Sequence, residues 1–383
     1  MKPAVTSLLF AAGCTLNLAG NLAGSHAVAA DTPALWLTEQ HLAGQWLTDG
    51  NGQTIPDPQS SGLTYRHGEL VHIGDNSATP ALRNKLLRIN PATGQLVAPP
   101  LAISVNPALK QSCFAELLAG DPDWESLTWD RLDDSTLISV TEDSSKFHLT
   151  ADCARRFGVT HSTAYPTLLV KIRTDKALSF AEIVAVRPVQ FPAAAQVGNF
   201  PNDGIEGLAF DNQRNLYLAL EQNQANAPML FVTPYSDDFW LSDDFVKITD
   251  LKLPLPVPDA KDHPINGLDF LPARKEGHPG YLLAAARNDD QLWVLDLSRQ
   301  QPAKVVPLRF YAPTRPDTSC PPYEPLANTS IEGVAVVGDQ VALVNDPWQR
   351  HYPENIQCPD NAAAFRQFSP LIFKLAIDPR WFN

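Results

Sequence analysis

Three glutamates, a serine and an asparagine each open a short apolar run that continues with a small residue, an aliphatic, a variable position and a further apolar residue. The five copies are Ser61-Gly62-Leu63-Thr64-Tyr65, Glu125-Ser126-Leu127-Thr128-Trp129, Glu206-Gly207-Leu208-Ala209-Phe210, Asn266-Gly267-Leu268-Asp269-Phe270 and Glu332-Gly333-Val334-Ala335-Val336. Carboxylate, hydroxyl and amide oxygens are hard donors that suit calcium, and neither thiolate nor imidazole stands among them. Three carboxylates gathered in one place repel one another, so they must share protons or hold a cation. We therefore expect one calcium ion held by Ser61, Glu125, Glu206, Asn266 and Glu332. The competing role for each Glu-Gly pair is a plain strand cap, with the carboxylate accepting backbone N–H groups. Recurrence at one place in a repeat argues for a shared ligand.

The elements that must position these residues follow from the repeat. The first residues fall at 61, 125, 206, 266 and 332, which are 60 to 81 positions apart, a period that fits a four-stranded propeller blade. Each copy leads through a short turn into a second apolar run with a polar end (70–76, 137–143, 216–223, 281–289, 341–346). A third strand-like run follows (86–89, 168–172, 229–232, 292–297, 371–375). A fourth completes the first four units, at 96–98, 182–186, 245–248 and 305–310, but the fifth unit ends after three. The apolar residues 34–38 are expected to supply the missing strand and close the ring. The expected fold is all-β, a five-bladed β-propeller of four-stranded blades closed by an N-terminal strand. Six blades, with a degenerate unit between 125 and 206, is the alternative.

In such a ring the long connections at 103–124, 144–166, 189–205, 254–265, 312–331 and 347–370 share one face, and the tight turns share the other. The elaborated face is the expected site, with the five signature residues at the channel mouth. The ends of the second runs open onto it too, as Asp75 with Asn76, Glu142 with Asp143, Glu221 with Asn223, Asn288 with Asp289, and Asn345 with Asp346. Their alternative role is ordinary turn chemistry. The cations near that face are Lys146, His148, Arg155, Arg156, His161, His263, Arg287, Arg350 and His351. Arg287 follows a strand filled with alanines and could steady a phosphate or carboxylate, or serve as a salt-bridge partner.

Composition narrows the setting. A net charge of −13 opposes binding to nucleic acid or an anionic membrane surface. Residues 1–29 read as an export signal, with Lys2 before an apolar run and Ala27-Val28-Ala29 as a cleavage pattern. Residues 30–383 then form one propeller domain, periplasmic or secreted. A lipoprotein cut before Cys14 is the minor alternative. No later segment could span a bilayer, and a monomer is expected. The remaining cysteines contain no C-x-x-C pair and flank equivalent elements of the second and fifth units, so Cys113 should pair with Cys153 and Cys320 with Cys358. Arg66-His67-Gly68 resembles the start of a phosphatase motif but lacks its continuation and reads as a turn. Nucleophile-elbow, zincin and Gly-rich phosphate-loop motifs do not occur.

The runs Glu206-Gly207-Leu208-Ala209-Phe210-Asp211, Leu216-Tyr217-Leu218-Ala219-Leu220-Glu221 and Ile331-Glu332-Gly333-Val334-Ala335-Val336 resemble the bacterial phytase-like family called "esterase-like activity of phytase", over essentially the whole mature chain. That resemblance implies a propeller and hydrolysis of esters or phosphoesters. The ring of Ser61, Glu125, Glu206, Asn266 and Glu332 also resembles the one-calcium ring of the five-bladed calcium-activated nucleotidases (apyrases), from whose Ser/Glu set Asn266 departs. The expected function is a calcium-dependent hydrolase acting on a small anionic or ester substrate, with Glu206 or Glu332 as general base and Arg287 near the substrate. The alternatives are a non-catalytic binding or scaffold propeller with a structural calcium, and a lactonase similar to the six-bladed gluconolactonases.

Overall fold

The computed structural model describes residues 33–142, 146–200, 204–256, 262–315 and 319–383. The export signal and Asp143 lie outside them. Runs of Leu, Ile, Val and aromatic residues bounded by turn residues form antiparallel units, each beginning at a signature copy. The first unit consists of Ser60–Arg66, Glu69–Gly74, Lys85–Ile89 and Leu101–Val105. The second consists of Trp124–Trp129, Thr136–Thr141, Leu168–Thr174 and Ala181–Gln190. Ile205–Phe210, Asn215–Leu220, Met229–Pro234 and Thr249–Asp250 make the third. Ile265–Leu271, Tyr281–Ala286, Gln291–Asp296 and Lys304–Pro313 make the fourth. The last holds Ile331–Val337, Gln340–Asn345 and Leu371–Ala376.

Each signature strand packs against that of the next unit, and Ile331–Val337 packs back on Ser60–Arg66, so the inner strands close a cycle. The apolar core is correspondingly divided between neighbours. Leu283 and Val294 meet Leu343 and Phe373 between the fourth and fifth units, while Leu63 and Leu70 meet Ala342 and Ile372 where the last meets the first. The result is a mostly-β, propeller-like ring.

Three outer strands differ from expectation. The closing strand is Gln45–Trp46, paired with Leu371 and Ile372, rather than residues 34–38. Trp46 packs edge-on against Phe365 at 5.2 Å. Leu35–Trp36 instead runs parallel to Lys304 and Val305 on the outside of the fourth unit, with Trp36 60% exposed. In the first unit the fourth strand is Leu101–Val105, not 96–98. In the third it is Thr249–Asp250, because Val246–Lys247 runs parallel to Val189 and Gln190 of the second unit. Outermost strands bury little, so hydrophobicity specifies their positions weakly.

The turn of Arg66-His67-Gly68 has φ of 51° at His67 and 88° at Gly68, the left-handed pair that a tight two-residue hairpin requires. It joins the first two strands as expected. Both disulfides form as expected, Cys113 to Cys153 and Cys320 to Cys358. Among the described residues no helix is long and apolar enough to cross a membrane.

Candidate functional site

Each signature residue sits at a break in strand pairing. The register between first and second strands slips at Ser60/Gly62, Trp124/Ser126, Ile205/Gly207, Ile265/Gly267 and Ile331/Gly333, so Ser61, Glu125, Glu206, Asn266 and Glu332 are the extra residues of five equivalent bulges. A bulge frees one side chain from the in/out alternation and re-aims it. The small residue that follows is required by the approach of the neighbouring inner strand. A Cβ on Gly267 would lie 2.2 Å from the Glu332 carbonyl oxygen, and one on Gly62 would lie 2.7 Å from the Leu127 nitrogen. Ser126, the exception, uses its hydroxyl to accept the Leu208 N–H at 2.8 Å.

A cavity of about 790 Å³ opens at this end of the channel. Among the described residues nine acids line it: Glu125, Glu206 and Glu332 from the bulges; Asp75, Glu142, Glu221 and Asp346 just beyond the second strands; and Asp123 and Asp290 beside them. Two cations, Arg287 and Lys146, face them. Ser61 and Asn266 lie outside the lining, almost fully buried. Asn266 Nδ2 donates to Glu221 Oε1 at 3.2 Å. Asn266 Oδ1, Ser61 Oγ and Asp346 Oδ1 are buried without a hydrogen-bond partner among the described residues.

Carboxylate oxygens converge in two groups that share Glu142: Asp123, Glu125 and Glu142, and Glu142, Glu206 and Glu221, with ligand atoms within 4.8 Å of one another in each. Glu142 Oε1 also accepts the Gly204 N–H at 2.7 Å. Arg287, where the fourth unit's second strand gives way to a 3-10 turn, donates to Glu332 Oε1 at 2.6 Å and to Glu221 Oε1 at 2.7 Å.

Burial first, and like charges second, push these carboxyls up. Glu125, Glu142, Glu206 and Asp346 are held well above the ordinary carboxylate range, with Glu206 repelled by Glu142 and Glu221, and Glu142 by Glu221. Burial raises Glu332 to about 7, although Arg287 opposes the shift. Burial works against the Arg287 charge, but Glu332, Glu221 and Glu206 outweigh it and raise its pKa.

Of the expected five-residue ring, Glu125, Glu206 and Glu332 share the cavity, while Ser61 and Asn266 stand behind its wall. From the second ring Asp75, Asn76, Glu142, Glu221, Asn288 and Asp346 line it. Asp143 lies outside the described residues, and the remaining three have turn or partner roles. Asn223 Oδ1 accepts from the Ala225 and Ala227 nitrogens, Asn345 Oδ1 accepts from Leu371 N, and Asp289 pairs with His263. Of the expected cations only Lys146 and Arg287 reach the lining; Arg156 pairs with Asp243 and Asp244 and His351 with Glu354, while His148, Arg155, His161 and Arg350 also lie elsewhere. Sequence reasoning missed Asp123, Asp290, Thr329 and Trp348. Asp123 stands just before the strand that carries Glu125, and the bulge there breaks the alternation that would have marked it. Thr329 and Trp348 lie on irregular loops, where no periodicity marks them.

No family model and no curated protein matches this chain. Among solved structures it is similar to the exo-β-1,3-galactanase 1,3Gal43A from Clostridium thermocellum (12% identity over 87% of this chain and 61% of that one, TM-score 0.43). It is also similar to the PQQ-bound aldose sugar dehydrogenase from Streptomyces coelicolor (11%, 82% and 93%, 0.35) and to the periplasmic gluconolactonase PpgL from Pseudomonas aeruginosa (11%, 68% and 60%, 0.29). At such distances these likenesses carry no activity to this chain.

Proposed function

We propose that the chain is an exported five-bladed β-propeller that binds calcium at the channel mouth and hydrolyses an anionic ester there, a phosphate ester first. One observation carries the reading: among the described residues nine carboxyl groups face two cations, beside buried amide, hydroxyl and carboxylate oxygens with no hydrogen-bond partner there. The donors are all hard oxygens, which fits calcium. Glu142, Glu206 and Glu221 would hold the ion, with Asn266 Oδ1 behind Glu221 and with Glu125 and Asp123 across Glu142. Bound calcium would offset two of the carboxylate charges and offer a cation for an ester oxygen, lessening the repulsion that the cavity otherwise presents to an anionic substrate.

Glu332 is then the residue to move a proton. It lines the cavity outside the group that would hold the ion, and in the calcium-free cavity burial raises it to about 7, close to the neutral range in which a general acid or base works. Arg287 holds Glu332 and Glu221 apart and oriented, a positioning role rather than a grip on phosphate. The two disulfides suit an oxidising compartment, in keeping with export.

The test is hydrolysis of p-nitrophenyl phosphate, p-nitrophenyl acetate and ADP by the mature protein, with calcium and with EDTA. Calcium-dependent turnover supports the hydrolase. Calcium that raises the melting temperature without turnover favours the second reading, a binding propeller with a structural ion, for which the engagement of Arg287 by two carboxylates speaks.

A further inference from the structure

The wall that the fifth unit contributes differs from the rest of the cavity. Trp348 is 54% exposed and is the aromatic residue of the lining among the described residues, whereas other exposed apolar side chains, such as Trp36 and Leu241, lie elsewhere. Its position is fixed. Trp348 N donates to the Asp346 carbonyl at 2.9 Å, its own carbonyl accepts the His351 and Tyr352 N–H groups at 2.9 Å, and the His351 ring meets the indole at 4.4 Å.

In the same lining, Thr329 is 1% exposed and has an Oγ1 with no partner among the described residues, and the two loops meet where Asp346 N donates to the Ser330 carbonyl at 2.8 Å. The segment carrying Thr329 is clamped by buried Asn355. Its Oδ1 accepts the Ala327 and Asn328 N–H groups at 2.9 and 3.2 Å, and its Nδ2 donates to the Asn328 carbonyl at 3.1 Å. Cys320–Cys358 and Glu324, which accepts from the Cys358 N–H at 2.6 Å, tie the two loops together. A flat apolar face and an unsatisfied buried hydroxyl are thus held in one rigid wall, and a ligand that fits them loses little conformational freedom of the protein on binding.

We propose that this wall is a subsite for a sugar ring, so that the ligand is a carbohydrate or carbohydrate ester. The inference rests on the calcium-site reading above and names its substrate class. A pyranose offers an apolar C–H face for the Trp348 indole and a rim of hydroxyls for Thr329 Oγ1, Asn328 and the carboxylate of Asp346. An aliphatic ester or a bare phosphate offers neither together.

The mature protein, fluorescently labelled and in calcium, would be applied to a microarray of bacterial and plant oligosaccharides, with the strongest hit titrated by calorimetry. Trp348→Ala should weaken that saccharide about tenfold or more, and Thr329→Val should weaken it about threefold. Calcium titrated into the same variants should bind as in wild type, which separates this proposal from the metal reading. Absence of any saccharide hit from a protein that binds calcium would overturn it, as would unchanged binding by Trp348→Ala.

Discussion

Arg287 Nη1 donates to Glu332 Oε1 at 2.6 Å, joining the fourth and fifth units across the channel mouth. The same guanidinium reaches Glu221 of the third unit, so one cation holds two of the nine acids that line the cavity among the described residues. Replacing it separates two effects that are usually confounded. Arg287→Gln takes the shared cation away from two nearly buried carboxylates, one of which keeps the Asn266 amide, and should cost the calcium-free protein roughly 3 kcal/mol. It also removes positive charge beside the metal site, so calcium affinity should rise. Chemical denaturation in EDTA, paired with calcium titration, reads both signs.

Stability of the calcium-free protein should fall as pH rises. Burial lifts Glu332 from an ordinary 4.5 to about 7, so between those values the folded chain keeps a proton that the unfolded chain releases. Protons then favour the folded state, and this advantage is lost as pH passes through 7. The other raised carboxyls, Glu125 and Glu206 among them, act in the same direction. In EDTA the melting temperature should be higher at pH 5 than at pH 8, by roughly 5 °C or more. In excess calcium, which needs the ionised acids, the order should reverse.

The inner half of this ring was legible because each signature packs chemistry and fold into adjacent positions. Glu206 marks the bulge and Gly207 marks the close approach of the next inner strand, so one dipeptide reports both. The second ring was legible for a similar reason, since a polar residue that ends an apolar strand, such as Glu221, emerges at the channel mouth. What sequence did not disclose is which acids converge. Glu142 meets Glu206 and Glu221 through packing of separate units, while Glu332 is engaged by Arg287, and no spacing along the chain encodes either choice. The closing strand was misplaced because Leu35 and Trp36 look more strand-like than Gln45-Trp46, yet remain largely exposed on the ring's outer side.

Gly267→Ala should destabilise the ring by about 1–3 kcal/mol, because its Cβ would press on the Glu332 carbonyl oxygen and force two inner strands apart. Gly68→Ala, in an open turn with nothing near its Cβ, should cost less, with only local strain at φ 88°. Urea denaturation of both variants distinguishes interior closeness from turn geometry.

Removing Cys320–Cys358 as the double serine variant should cost about 2–4 kcal/mol. Hydrogen exchange should then rise in the described parts of residues 312–330 and 347–358, leaving the inner strands protected. Uniformly faster exchange would show that the staple supports the whole ring.

The central claim is that the gathered carboxylates hold a cation, and Glu206→Gln tests it with one atom's change. Calcium content of the mature protein, measured by elemental analysis and by calorimetric titration after chelation, should be near one ion per chain in the wild type and should fall at least tenfold in affinity in the variant. A wild type that takes up no calcium, or a variant that binds it as tightly, would contradict the account.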